Sequence, residues 1–288
     1  MKDKIGLRMK ENYESRSRTF LTRRTPVIIR LDGKAFHTYT RGLEKPFDEG
    51  LIEDMQETAK FLCENIQGAK CAYTQSDEIS ILLTDYDNLE TDAWFDYNVQ
   101  KMTSISASLA TAKFNQLRLR RSLLKNQENF YAELDLDIKI ANDKGGRKNK
   151  SRALQSNQKV FNEVDLANFD SRVFNIPKEE VVNYFIWRQQ DAVRNSIQML
   201  AQSLYSHKEL HKKNTKQLQE MCFQKGHNWN DLHFSKKRGS LIVKNTYYDG
   251  KLRPGSFFPG EDTVIRTKWE VVDTPFFSKK RVAIKEFT

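Results

Sequence analysis

The chain has 288 residues, 38% of them apolar, and a formal net charge of +10, which is enough apolar material for a core that needs no staple. Its three cysteines, Cys63, Cys71 and Cys222, are odd in number and lack CxxC spacing, which argues against a disulfide framework or a four-cysteine zinc site and fits reduced thiols in a cytoplasm. No run reaches the roughly 18 apolar residues of a membrane helix and the charged start has no apolar signal core, so a cytoplasmic protein without membrane association is expected.

In chain order, "TPVIIRLDG" reads as a buried strand that ends at Asp32-Gly33. "KPFDEGLIEDMQETAKFLCENIQG" follows as a helix, with Leu51, Ile52, Met55, Ala59, Leu62 and Ile66 on one face, Asp48 as N-cap and Gly68 just past the end. "YTQSDEISILL" predicts two strands meeting at Ser76-Asp77. A second helix is expected from about Ala93 to Leu119, with Phe95, Val99, Met102, Ile105 and Leu109 inward. From Ser122 to Val164 the chain turns polar around "NDKGGRKNKSR", the pattern of a loop or insertion. "FDSRVFNIP" is another strand, and residues 178–206 form a long helix striped by Val182, Ile186, Val193, Ile197, Leu200 and Leu204. In that helix Tyr184, Phe185 and Trp187 read as core or interface rather than base-stacking groups. Beyond His207, basic helix mixes with the short strands "SLIVK" and "TVIRTKWEVV".

The order strand, helix, hairpin, helix, strand predicts an α+β fold, an antiparallel sheet with flanking helices. If the first strand pairs beside the hairpin, Asp32 meets Asp77 and Glu78 at one sheet end, although 45 residues separate Asp32 from Asp77. Turn acids either cap backbone amides or act as ligands. As ligands they would form a two-metal phosphoryl-transfer site, because two magnesium ions need bridging carboxylates to screen their repulsion. Gly33 would let the backbone from Gly33 to His37 approach a triphosphate, with Lys45 and Lys101 supplying positive charge.

The basic excess is clustered. "KFNQLRLRRSLLK" (113–125) has five basic residues and no acid, and "KGGRKNKSR" (144–152) is also acid-free; residues 207–225 and "SKKRG" add to it. Such patches suit a polyanion or are simply solvated helix faces and a flexible loop, and charge alone does not choose between the two; for the first reading Lys144, Arg147, Lys148, Lys150, Lys212 and Lys213 are the candidate contacts to a polyanion such as RNA. His207 and His211 have the spacing of a helical zinc pair, with Cys222 and His227 downstream, but Lys208-Glu209 between them and the basic surroundings favour a solvated or RNA-facing helix.

"RLDGKAFHTYTR", "KPFD", "YTQSDEIS", "QKMTSISASLATAKFN" and "FDSRVFNIP" followed by "WRQQDAVRN" occur in this order and together resemble the tRNA-His guanylyltransferase family, over roughly residues 3–120 and 165–240. The resemblance implies a polymerase-palm-like catalytic domain over residues 1–205, with the basic insertion at about 122–164, and a basic C-terminal subregion over 206–288 packing on it. It further implies that Asp32 and Asp77, with the Gly33 backbone, hold two Mg2+ ions and that Glu78 is also required. Lys45 and Lys101 match triphosphate-contacting lysines, and Lys34, Ala35, Phe36, His37 and Ser76 lie in motif positions near the nucleotide. The implied reaction extends a tRNA at its 5′ end: ATP activates the 5′-monophosphate, and the 3′-hydroxyl of GTP or another nucleoside triphosphate attacks it. A homotetramer binding tRNA across subunits is implied as well.

One departure bears on specificity. The eukaryotic tRNA-His branch carries "HINNLYN" where this chain has "VRNSIQM", so Val193 and Ser196 replace a histidine and an asparagine while Asn195 is kept. That favours the guanylyltransferase-like branch, which repairs truncated tRNA 5′ ends by pairing with a template. Alternatives are a true tRNA-His enzyme adding G at position −1, a nucleotide cyclase, for which the basic patches have no use, and a non-catalytic RNA-binding module.

Overall fold

The structure, a computed structural model, describes residues 4–144, 165–249 and 264–287. Its strands are β1 (Val27–Gly33), β2 (Ala69–Gln75), β3 (Glu78–Leu83), β4 (Phe169–Asn175), β5 (Ser240–Asp249) and β6 (Val264–Val272). They form one six-stranded sheet in the order β4-β1-β3-β2-β5-β6, and every neighbouring pair is antiparallel. The last two strands extend the sheet beyond β2, so the C-terminal segment contributes strands as well as helices.

The helices are α1 (Lys4–Asn12), α2 (Phe36–Tyr39), α3 (Glu49–Asn65), α4 (Val99–Lys144), α5 (Lys178–Leu204), α6 (His207–Leu210), α7 (Thr215–Gln224), α8 (Phe234–Arg238) and α9 (Val282–Lys285). Strand alternation divides the apolar residues between two faces. Val27, Ile29, Leu31, Ile79 and Ile81 share a core with Met55, Ala59 and Leu62 of α3 and with Met102, Ala110 and Phe114 of α4. On the other face Ile28, Cys71, Tyr73 and Leu82 pack on Val181, Val182, Tyr184 and Phe185 of α5. Each large side chain so buried stabilises the fold by about 1.5–3 kcal/mol.

Helix α3 starts as its sequence predicts, with Asp48 accepting the Leu51 amide at 2.7 Å, and Gly68 beyond its end has a φ of 82°. Helix α4 differs in two ways. Its inward stripe is Met102, Ser106, Ala110 and Phe114, whereas Ile105 and Phe95 are each 40% exposed. The four-residue spacing of that stripe sets the phase, small Ser106 and Ala110 allow close approach to the sheet, and Phe95 precedes the helix. The helix also continues through Lys144, where a polar loop from Ser122 is expected. Residues 99–144 contain no glycine or proline, and the Gly145-Gly146 pair comes only after them. The rest of the expected insertion, 145–164, lies outside the described residues.

Helix α5 begins just after β4, near the Val27 end of β1, and runs along the sheet toward the Asp32 end, where Arg188 reaches Glu78. Its second half passes the sheet and packs on α7 through Ile197, Leu200, Ala201, Leu218, Cys222 and Trp229. Among the described residues no helix is long and apolar enough to cross a membrane.

Candidate active site at the β1–β3 end of the sheet

Asp32 and Glu78 are direct cross-strand partners, and Asp77 sits in the two-residue turn that joins β2 to β3. That turn is tight because Ser76 takes a left-handed φ of 51°. The Gly33 amide donates to the Asp77 carbonyl at 3.1 Å, which ties the end of β1 to the turn. A Cβ on Gly33 would stand 2.3 Å from the Phe36 ring and 2.9 Å from Asp77 Cβ, so only glycine permits this approach. The sequence thus brings its two principal acids together through one strand register and one glycine.

The three acids have different surroundings. Glu78 is buried; Arg30 holds its Oε2, with Nη2 at 2.8 Å, and Arg188 Nε lies 2.8 Å from its Oε1, an ion pair without hydrogen-bond alignment. Burial still pushes the Glu78 carboxyl above its ordinary range, against the pull of both guanidiniums. Both its oxygens are therefore committed to the protein. Asp77 is also raised, first by burial and in part by the charge of Asp32, while the Ser76 hydroxyl and its own amide oppose the rise. Among the described residues neither Asp32 nor Asp77 has a cationic partner.

Two hard carboxylate donors of like charge, next to the Gly33 backbone and without a neutralising cation, fit a divalent magnesium site completed by phosphate and water oxygens. Asp170 of β4 is a further acid that the sequence reading did not single out. It pairs across from Asp32, so Asp170, Asp32 and Glu78 form one row on the α5 face of the sheet. Its side chain is 56% exposed and lies 3.3 Å from Arg172. Register, which no local pattern reports, creates this row. Arg30 and Arg188 were missed for the same reason.

The other expected site residues are distributed around this end. Phe36 is buried, stacked with Tyr39, Phe114 and Phe169, and acts as a floor under Gly33. Lys34, Ala35 and His37 are exposed beside it, and Ala35 takes a left-handed φ of 55°. Of the amides expected to face a triphosphate, those of Gly33 and Lys34 are already donated, to Asp77 and to the Asn168 carbonyl at 2.8 Å, so only the Ala35–His37 portion remains available. Ser76 is exposed on the turn. Lys45 is exposed with Nζ 3.4 Å from the Thr40 carbonyl, and Lys101 is exposed with its ammonium 5.7 Å from the Phe95 ring centre.

The basic clusters are partly turned inward. Arg118 and Arg121 grip the buried Asp54 at 3.1 and 2.9 Å, so two of the five charges in 113–125 hold α4 to α3. Lys236 pairs with Glu49, Lys237 donates to the Asn230 carbonyl and Arg238 meets Asp273. Lys212 and Lys213, by contrast, are exposed and line an open cavity of about 250 Å³ together with His207, His211, Gln198 and Gln202. Cys222, on α7, lies in the apolar cluster between α5 and α7, and among the described residues no zinc-like set forms. Lys144 ends α4, and Arg147, Lys148 and Lys150 lie outside the described residues.

At the departure in α5, Val193 is half-buried against the α5–α7 cluster. Ser196 is buried, 3.0 Å from both the Val193 and Lys237 carbonyls, and accepts the Trp229 indole N–H at 2.9 Å. Both positions are occupied with packing.

A sequence profile described as tRNAHis guanylyltransferase matches residues 7–177. The chain belongs to that family. It is 40% identical to a bacterial tRNA(His) guanylyltransferase (Thg1)-like protein solved in complex with ATP, with 98% of each chain covered and a TM-score of 0.73. The same comparison with such a protein in complex with GTP gives 40% identity, 99% coverage of each chain and a TM-score of 0.69. The tRNA(His) guanylyltransferase of Saccharomyces cerevisiae, at 22% identity over 82% of this chain and 91% of that one, shares the fold with a TM-score of 0.57. Uncharacterized protein R259 of Acanthamoeba polyphaga mimivirus is 27% identical over 254 residues, 83% of this chain and 77% of that protein. Family membership makes the chain a nucleotidyltransferase of the tRNA guanylyltransferase type, and the mixed sheet-and-helix fold agrees with the one read from its sequence.

Proposed function

We propose that this nucleotidyltransferase is magnesium-dependent and adds nucleotides in the 3′-to-5′ direction to the 5′ ends of truncated tRNAs, choosing each nucleotide by pairing with a template. The observation that carries the reading is the pair Asp32 and Asp77: two acids 45 residues apart in sequence, joined through the Gly33 amide and, among the described residues, left without a cation. Asp32 and Asp77, with the Gly33 backbone, would hold the magnesium ions. When bound, these supply charge neutralisation on the phosphates and activation of the attacking hydroxyl.

The chain's own residues bind, orient and exclude. Glu78, pinned between Arg30 and Arg188, fixes the strand end that carries Asp32. Phe36 closes the floor beneath the turn, and Lys45 and Lys101 attract the triphosphate as mobile surface charges. In the first step the RNA 5′-phosphate oxygen attacks the α-phosphorus of ATP and pyrophosphate leaves. In the second, the 3′-oxygen of the incoming nucleoside triphosphate attacks the activated 5′-phosphorus, loses its proton and displaces AMP. ATP and GTP are assigned as substrates because the similar bacterial proteins were solved with each of them. tRNA as partner follows from the family, and the homotetramer remains part of the proposal, to be tested by light scattering.

Repair rather than tRNA-His identity reading is supported by Val193, which is apolar and packed, and by Ser196, whose buried hydroxyl is committed to the Lys237 carbonyl and the Trp229 indole, so neither altered position offers a free polar group to read an anticodon. The test is a matched set of tRNAs lacking the first nucleotide, with each base at the templating position and two different anticodons. Addition of the complementary base irrespective of anticodon is expected. Addition of G regardless of template, or only to the histidine anticodon, would overturn the repair reading.

A further inference from the structure

Trp187 is 52% exposed, although its helix neighbours Tyr184 and Phe185 are buried. The sequence pattern assigned it to the core or an interface. Of the four tryptophans it is the most exposed: Trp94 and Trp229 are 6% accessible and Trp269 is half-buried. Its ring is nonetheless held rigidly. The Arg188 guanidinium carbon sits 4.2 Å from the ring centre and that of Arg30 5.8 Å, and Tyr184 meets it edge-on at 5.9 Å.

Its position follows from the register. Arg30 and Asp32 lie two residues apart on β1, so their side chains share the α5 face, about 7 Å apart along the strand. Arg30 pairs across to Arg172, and Asp32 to Asp170. These two β4 side chains are 54% and 56% exposed, so the face beside Asp32 on the β4 side is open. Trp187 stands over Arg30 at the border of that open face, one row from the acid. A nucleotide whose phosphate lies at Asp32 carries its base within reach of a flat, fixed, half-open indole ring at this distance.

We propose that Trp187 is the platform on which a nucleobase stacks while its phosphate is held beside Asp32. The shared chemistry is a base bearing a 5′-phosphate, supplied either by the 5′-terminal nucleotide of the RNA or by a nucleoside triphosphate. The proposal rests on the nucleotidyltransfer reading of the site and adds the residue that holds a base there. Stacking suits the purpose because every base offers a π-face, so the platform orients without selecting sequence. The competing role is structural: Trp187 would merely cover the Arg30–Glu78–Arg188 ion pairs.

The experiment measures tryptophan emission and affinity for wild type, Trp187→Ala and Trp187→Phe. The probes are ATP, GTP, a 5′-phosphorylated tRNA lacking its first nucleotide, and the same tRNA with an abasic 5′-terminal nucleotide; melting temperature is the folding control. Stacking predicts that wild-type emission is quenched on binding and that Trp187→Ala loses the quench. Trp187→Ala should also weaken binding by about 5- to 150-fold, the range for one base on one aromatic ring, while Trp187→Phe keeps most of the affinity. The loss must disappear with the abasic tRNA if the RNA supplies the base, and appear with ATP or GTP if the triphosphate does. Equal affinity of Trp187→Ala and wild type for every probe overturns the platform, as does an equal loss with intact and abasic tRNA and no effect on the triphosphates. Wild-type quenching without nucleotide addition would overturn the functional reading and leave the platform standing. Addition to RNA that is indifferent to Trp187 does the reverse, and a wild-type protein that binds none of the probes overturns both.

Discussion

Replacing Glu78 with alanine should cost stability rather than merely activity. The carboxylate is buried and opposes two guanidiniums, one of them, Arg188, only 5% exposed and the other, Arg30, 20% exposed. Burial raises the Glu78 carboxyl above its ordinary range, which means that the pairing does not fully offset the desolvation of the charges. The intact network therefore contributes little net stability, yet removing Glu78 takes the carboxylate that Arg30 pairs with and one of the two that Arg188 pairs with, the other being Asp191 at 2.9 Å. Truncating one member of a buried ion pair typically costs about 3–5 kcal/mol, and Arg30, which can still reach water, keeps the expectation at the lower end. At roughly 2–4 °C per kcal/mol for a large domain, the melting temperature of Glu78→Ala should fall by about 6–15 °C. Glu78→Gln, which keeps an acceptor toward Arg30, should lose less. Adding Arg188→Leu to a Glu78→Leu variant should recover part of the loss, because it removes a buried guanidinium left with Asp191 as its carboxylate, while Asp191 keeps Arg194. Thermal and urea unfolding of the four variants and the wild type measure this directly. Unfolding of Glu78→Ala within 1 kcal/mol of wild type would refute the claim that Glu78 acts by bracing the strand end, and would return it to the set of direct ligands.

Three further outcomes are expected. Asp32→Ala or Asp77→Ala should reduce nucleotide addition at least about a thousandfold with the fold retained, since each removes a hard oxygen donor and relieves acid–acid repulsion; retention of a tenth of the wild-type rate by either would sink the metal assignment. Gly33→Ala should force the Phe36 ring and the Asp77 turn apart, lowering both melting temperature and addition rate, and an unaltered rate would show that the turn tolerates displacement. Removing charge from Lys212 and Lys213 should weaken tRNA binding and lower the slope of log affinity against log salt by about one per lysine; an unchanged slope would mark them as solvated only.

The parts of the fold legible in the sequence were those governed by local rules. Alternation in β1 and β3, the Asp48 cap and the Ser76-Asp77 turn all act within a few residues, and so did the inference that Asp32 and Asp77 converge once the strands pair. What could not be read depended on long-range partners. Charge counts marked 113–125 as a surface for polyanions, but Asp54, more than sixty residues earlier, draws Arg118 and Arg121 inward. Glu78 and Asp77 are adjacent and chemically alike, yet strand alternation turns one toward Arg30 and Arg188 under α5 while the turn keeps the other near Asp32. Trp187 reads as apolar because helix periodicity sees only its own helix. Its exposure goes with its place over Arg30, next to the edge strand β4 whose Asp170 and Arg172 are themselves exposed, and Ser196 is polar by type yet buried because Trp229 and the Lys237 carbonyl, both more than thirty residues away, satisfy its hydroxyl. In each case the side chain's chemistry was visible but its partner was not, and the partner decides whether a charged or aromatic residue serves the fold or faces a substrate.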